Sequence, residues 1–360
     1  MKIRGSLLLL LSTSLVIILA GCFKGEQTMD EMDPPQDAEA VDQSEGISED
    51  ETDDTEGVEE ETESDSTETV GRDLYLIDVN GMVVSQTIEL PTPESQEVAK
   101  QVLEHLVVEG PVTPLLPNGF RAVLPQGTEV LGLDLEDDGT MVVDLSEEFE
   151  NYDAEDEVKI LEAITHTLTQ FENVDNIKLM INGHPLEEMP VDGTPMAEGY
   201  SKVNGINLVD SDILDLMNSE AVTMYYPAEH NDTRYYVPIT KHIQADDENI
   251  FEKVVQTLMD GPGYNTNMIH VFNSDTVLTE EPKLDNGVLS LVFNQGILKD
   301  KEQAVIADDV METLVRTLSE QGSVEAVDIQ VEDVEELVNE NGEVYNEPVS
   351  INEFIEVEKL

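Results

Sequence analysis

Val98-Ala99-Lys-Gln-Val102-Leu103-Glu-His-Leu106-Val107-Val-Glu-Gly110-Pro111 and, 152 residues further on, Ile250-Phe251-Glu-Lys-Val254-Val255-Gln-Thr-Leu258-Met259-Asp-Gly261-Pro262 share one pattern. Apolar pairs recur every four residues, which puts them on one face of a helix. Each run closes on Gly-Pro, where glycine takes the left-handed closing conformation and proline cannot continue the ladder. The spacing therefore predicts two equivalent helices, each ending at its Gly-Pro.

The neighbouring segments repeat in step. Before each helix lie two β-rich runs, 74–78 with 82–88 and 222–226 with 235–243, the first pair joined by Asn80-Gly81, which reads as a type I′ turn. After each helix come two short strands around a glycine turn, 130–135 and 141–145 about Asp138-Gly139, then 276–284 and 288–293 about Asn286-Gly287. A second amphipathic helix follows, with Val158, Leu161, Ile164, Leu168 and Phe171 on one face, matched by Ile306, Val310, Leu314 and Leu318. Thr167-Leu168-Thr169 corresponds to Thr317-Leu318-Ser319, and each copy ends in a strand, 177–181 and 327–331. The expected fold is α+β: two tandem small domains, each a mostly antiparallel sheet with two helices on one face. Residues 71–187 form the first domain and 220–360 the second. Residues 188–219, with Pro190, Gly193, Pro195, Gly199 and Gly205, read as the connection, and Asn341-Gly342 with 344–351 as a C-terminal hairpin.

Toward the other end, Lys2 and Arg4 precede an uncharged apolar run that closes on Leu19-Ala20-Gly21-Cys22. This pattern reads as a lipoprotein signal peptide over 1–21, with the thiol of Cys22 as acceptor of a diacylglyceryl group. Acyl chains bury about 0.8 kcal/mol per CH₂, so the expected anchor is lipid on the extracytoplasmic face. Cys22 is the sole cysteine, which excludes an intrachain disulfide. Residues 22–70 read as a disordered acidic tether: 24–70 hold 20 acidic residues against one lysine and almost no large apolar side chain. A flexible coil of that length reaches roughly 40 Å.

The chain of 360 residues carries 80 acidic and 17 basic side chains, a formal charge of −63. From residue 71 onward, 60 acidic residues still face only 14 basic ones. That balance argues against nucleic acid, which is held by basic counter-charge. The histidines, 105, 166, 184, 230, 242 and 270, lie at no zinc spacing. Asp134-Leu-Glu136-Asp-Asp138-Gly139 opens like a calcium loop, but Leu145 stands where a bidentate glutamate is required. No nucleophile elbow, phosphate loop or dinucleotide fingerprint occurs. The residues thus point to no enzyme, no cofactor and no metal.

One asymmetry between the copies stands out. Residues 111–125 hold four prolines and the apolar Leu115, Leu116, Phe120, Val123 and Leu124, whereas the counterpart from Pro262 is far more polar. This loop reads as the lid of its own core or as a docking face. Arg121, one of five arginines in the chain, sharpens the second reading. Leu115, Phe120 and Arg121 are the candidate partner-binding residues.

The combination resembles the GerM family of sporulation and spore-germination lipoproteins, which carry two GerMN domains. The matching segments are Cys22 with its preceding small residues, Asp33-Pro34-Pro35-Gln36-Asp37, Leu74-Tyr-Leu-Ile-Asp78, and Gly110-Pro111-Val112 leading to Leu115-Leu-Pro-Asn-Gly119-Phe120-Arg121-Ala-Val-Leu-Pro125. Thr167-Leu-Thr-Gln-Phe171, Ile181-Asn-Gly-His184 and Tyr235-Tyr-Val-Pro238 extend it. Val331-Glu332-Asp333 departs from the Asn-Gly turn of the first copy. The resemblance implies domains similar to the ring-building domains of secretion and sporulation machines. It also implies a non-enzymatic part of the mother-cell to forespore channel, whose proteins would be its partners in the space between the two membranes. A cell-wall role, binding or hydrolysing peptidoglycan, is the alternative, since GerMN domains also accompany amidases. A solute-binding lipoprotein is a third, disfavoured by the absence of βαβ repeats.

Overall fold

The structure, a computed structural model, describes residues 69–92, 97–209, 219–244, 249–263 and 266–354. Cys22 and the acidic stretch up to residue 68 lie outside the described residues.

The first domain begins with a hairpin of β1 (Thr69–Ile77) and β2 (Val83–Pro91). Its strand thus starts two residues inside the expected tether. The turn differs from expectation as well. Gly81 has φ 82° whereas Asn80 stays outside the left-handed region, and Gly81 N–H donates to Asp78 O at 3.0 Å. This is a three-residue loop with glycine in the bulge position rather than type I′. Asp78 is the reason: its Oδ1 accepts from the N–H groups of Asn80 (2.8 Å) and Met82 (2.9 Å), fixing the wider loop.

Helix α1 (Val98–Glu104) follows, then β3 (Val130–Leu135), β4 (Thr140–Leu145), α2 (Glu157–Leu168), β5 (Asn176–Ile181) and the short β6 (His184–Pro185). The sheet order is β3-β4-β5-β6, with β4 and β5 parallel across α2 and the other pairs antiparallel. Helix α1 ends six residues before Gly110. Val108 N–H donates to Leu124 O (2.9 Å), and the Val123 and Leu124 N–H groups donate to Leu106 O (3.0 and 2.8 Å). Pairing with the proline-rich loop therefore takes the second half of the apolar stripe out of the helix, as turns on either side of a bridge between Val107 and Leu124. Helix α2 keeps Ile160, Leu161, Ile164 and Leu168 buried but leaves Val158 exposed, so its stripe lies one residue round from the expected face.

The second domain repeats the plan: hairpin β7 (Ser219–His230) and β8 (Thr233–Gln244), helix α3 (Ile250–Asp260), strands β9 (Lys283–Asp285) and β10 (Val288–Phe293), the small pair β11 (Leu298–Asp300) and β12 (Val305–Ile306), helix α4 (Asp308–Ser319) and β13 (Ala326–Val331). Its sheet runs β13-β10-β9, with β10 and β13 parallel. Here α3 does close on its glycine, Gly261 at φ 89°. Asn286 (φ 49°) and Gly287 (φ 82°) form the expected two-residue turn. The run 276–284 is regular only at its end, because Pro282 lacks an N–H to continue the ladder. About Asn341-Gly342 the chain does fold back antiparallel, Val338 bridging Val344 and Tyr345 N–H donating to Leu337 O, but the pairing is too short to form strands, and further on Val349 lies along Val327 instead.

Residues 188–206 of the expected connection belong to the first domain, and from Ile206 to Val209 the chain passes onto β8 of the second, Thr240 N–H donating to Ile206 O and Val209 N–H to Thr240 O. Met189, Met196, Tyr200 and Ile206 are buried in the first core, and Tyr200 exchanges backbone hydrogen bonds with Ile177 at 2.8 Å. Single large apolar residues, too sparse to show a period, anchor it. The two domains meet along the first hairpin. Successive strand residues point to opposite faces, and on β2 Val83 enters the first core while Val84 enters the second. That hairpin is thereby shared between two cores.

Candidate docking face of the first domain

The loop 111–125 is anchored by its apolar side chains, with Val112, Ala122, Val123 and Leu124 buried. Leu115 ends a single 3₁₀ turn, Thr113–Leu115, with Pro114 as its second residue, and packs, half-buried, on the first core. Phe120 and Arg121 diverge. Arg121 exchanges backbone hydrogen bonds with Ile77 (2.8 and 2.9 Å), so the chain is extended there and consecutive side chains point to opposite sides. Phe120 turns into the seam and meets Tyr235 edge to face, ring centroids 5.1 Å apart. Tyr235 in turn donates its hydroxyl to Asp78 Oδ2 at 2.8 Å. Gly119 is required at this crossing: it has φ 90°, and an added Cβ would lie 2.5 Å from the His230 ring.

Arg121 points the other way, into a groove with a cavity of about 330 Å³. Val108, Val123, Pro125 and Ile160 form its apolar floor, and Gln126, Asn151, Tyr152, Asp153 and Asp156 its polar wall. Arg121 Nη2 reaches both oxygens of Asp156, at 3.2 and 3.3 Å, with half of the side chain still exposed. Lys159 holds the same carboxylate at 2.9 Å. Burial alone would raise the pKa of Asp156, but the Lys159 hydrogen bond and the Arg121 charge hold it below its ordinary value.

The groove wall is fixed from behind by Glu157, at the start of α2. Its Oε2 accepts from Tyr152 Oη (2.9 Å) and from the Val191 (3.1 Å) and Asp192 (2.6 Å) N–H groups, while Oε1 accepts from the Thr194 N–H (2.8 Å) and hydroxyl (2.6 Å). Burial works to raise this carboxyl, and the Asp192 and Thr194 bonds overcome that and lower it. Five donors on one buried carboxylate tie residues 191–194 of the connection to the first domain.

The three residues expected to bind a partner are therefore not on one face. Arg121 lines the groove, Leu115 supports the loop and Phe120 joins the domains. Asp156 and Glu157 were hidden in the sequence among many acidic residues; the spacing that distinguishes them, Arg121 aside, is created only by folding. Among the described residues no group of three or more His, Cys, Asp or Glu is arranged to hold a metal ion, and no helix is long and apolar enough to cross a membrane.

A family model described as sporulation and spore germination matches twice, over residues 73–187 and 223–337. The spore germination protein GerM of Bacillus subtilis (strain 168) is 43% identical over 347 residues, which covers 93% of each chain. The solved tandem GerMN domains of the sporulation protein GerM from Bacillus subtilis superpose with a TM-score of 0.72 at 46% identity, covering 78% of this chain and 96% of that one.

Proposed function

This chain belongs to the sporulation and spore germination family built from paired GerMN domains, and from that premise we propose that it is a non-enzymatic scaffold lipoprotein of spore formation and germination. In this reading, lipid on Cys22 holds it to the extracytoplasmic face of the cell membrane. The acidic segment gives it reach, and the paired domains support assembly of the channel between mother cell and forespore. The observation that carries the reading is the shared hairpin: with Val83 in one core and Val84 in the other, the two domains form one block suited to holding partners in fixed relation. The groove at Arg121 is the docking face proposed for one of them.

Two experiments test it. Cys22→Ala should yield folded protein released from the membrane fraction; retention after a high-salt wash would overturn the lipid anchor. The wild-type chain recovered from sporulating cells should carry channel proteins with it. Co-sedimentation with purified peptidoglycan, together with no recovered partner, would favour the cell-wall reading instead.

A further inference from the structure

The two small sheets present four outer edges, and three of them are managed. Beyond β5 lie β6 and the Ile177–Tyr200 bridge, and beyond β13 lies Val349, which exchanges hydrogen bonds with Val327 at 2.8 and 2.9 Å. The edge at β9 is three residues long and is preceded by Glu280, Glu281 and Pro282, devices that blunt an edge against pairing. The fourth edge, β3, is Val130-Leu-Gly-Leu-Asp-Leu135, with one charge and no proline. Its bulge lies between Val130 and Gly132, at the start, and leaves 133–135 regular.

The direction of its free groups follows from the turn. Glu136 N–H donates to Thr140 O at 2.9 Å, and Asp134 pairs with Val142. Antiparallel pairs alternate between bonded and non-bonded, so the backbone N–H and C=O of Leu133 and Leu135 face away from β4. Helix α1 packs against β3 and the Leu133 and Leu135 side chains lie against the first core, but among the described residues no backbone hydrogen bond reaches these outward groups. Leu131, beside them, is 47% exposed.

We propose that the free edge of β3 is a strand-addition site for an extended segment of another protein, with aliphatic residues flanked by lysine or arginine. Charge selects this occupant. Glu129, Asp134, Glu136 and Asp137 surround the edge. A second copy fits badly, because the two-fold registers that match the free groups set like charges together: centred on Leu133, Glu129 lies opposite Asp137 twice, and centred on Asp134, that carboxylate lies opposite its own copy. The proposal rests on the scaffold reading only in requiring a protein partner, and a synthetic probe separates the two.

The probe is an acetylated peptide of alternating lysine and valine, offered to the full-length protein and followed by hydrogen exchange and binding titration. The expected result is fast exchange at Leu133 and Leu135 in the free protein, slowed by the probe. Methylating the peptide nitrogens that face β3 should weaken binding by about tenfold or more, since two backbone hydrogen bonds are lost. Leu133→Pro should block the edge without touching the β4 ladder, and Leu131→Lys, at an exposed position, should weaken the probe if the proline variant fails to fold. The proposal is overturned if these amides are already protected in the free protein, if the methylated probe binds equally well, or if Leu131→Lys changes nothing. A dimer abolished by Leu131→Lys would likewise overturn it by making the second copy the occupant.

Discussion

Asn207 is bonded to Val83 in both directions: its Oδ1 accepts the Val83 N–H at 2.8 Å, and its Nδ2 donates back to the Val83 carbonyl at 2.6 Å. The same Nδ2 donates to Pro238 O at 2.8 Å, on the facing hairpin of the second domain. One side chain thus replaces a strand between β2 and β8. Its backbone, at φ 48°, is in a left-handed conformation that asparagine tolerates better than most residues.

Asn207→Ala should lower the unfolding free energy by about 2–3 kcal/mol, from the lost hydrogen bonds and the strained φ. Asn207→Gly relieves the strain and should cost less. Urea denaturation of the two variants checks the order. Equal stability of wild type and Asn207→Ala would mean that the apolar seam alone holds the domains.

Thr167 and Thr317, noted in the sequence as corresponding positions, have the same task. Tyr75 N–H donates to Thr167 Oγ1 at 3.1 Å, and Tyr225 N–H to Thr317 Oγ1 at 3.0 Å, so each second helix satisfies the outer edge of its own hairpin. Replacing either threonine by valine keeps the shape and strands a backbone donor. Each change should destabilise by about 1–3 kcal/mol, with serine restoring most of it. A neutral Thr167→Val beside a costly Thr317→Val would show that the two copies have diverged in this contact.

Glu162 and His166 make the seam sensitive to pH. Glu162 is buried, accepts the Asn207 N–H at 3.1 Å, and is pushed up to about 7 by burial, against the Asn207 bond and the Lys159 charge. His166 packs against Tyr75 at 5.1 Å and is pushed down to about 3, first by burial and then by Lys202. A raised carboxyl means the folded state holds a proton that the unfolded state has released, so Glu162 makes stability fall as pH rises from its ordinary 4.5 to about 7. His166 does the reverse, adding stability as pH rises from about 3 to its ordinary 6.5. Glu162→Gln should remove the fall through neutrality and be more stable than wild type at pH 8, by roughly 1–3 kcal/mol. Denaturation curves at pH 5 and 8 measure it; an unchanged difference between those pH values would refute the burial of a charge at this position.

Periodicity made the repeat, the hairpins and the helices readable, because these depend on neighbours within a few residues. What escaped depended on partners far along the chain. Helix α1 stops at Glu104 because residues 106–108 pair with Val123 and Leu124, a contact no local pattern announces. Val83-Val84 gave a visible signal, two adjacent apolar residues in a strand, whose meaning as a hairpin buried on both faces emerges only when the second domain is in place. Likewise Phe120-Arg121 marked a special place, but the backbone pairing with Ile77 is what sends one side chain to the seam and the other to the groove.

That divergence separates two mutations expected to affect partner recruitment differently. Arg121 is half exposed, and its partner Asp156 keeps Lys159 when the arginine is removed. Exposed ion pairs contribute little, about 0–1 kcal/mol, so Arg121→Glu should shift the melting temperature by no more than a few degrees. It should nevertheless weaken recovery of the partner, because it places a third carboxylate beside Asp153 and Asp156 in the groove. Phe120→Ala acts through the seam: it removes the ring that meets Tyr235 and should cost about 2–4 kcal/mol, lowering recovery by loosening the block. Thermal melts paired with quantitative pull-downs from sporulating cells distinguish the two. A folded Arg121→Glu protein that recovers its partner in full would remove the groove as a docking face while leaving the role of Phe120 intact.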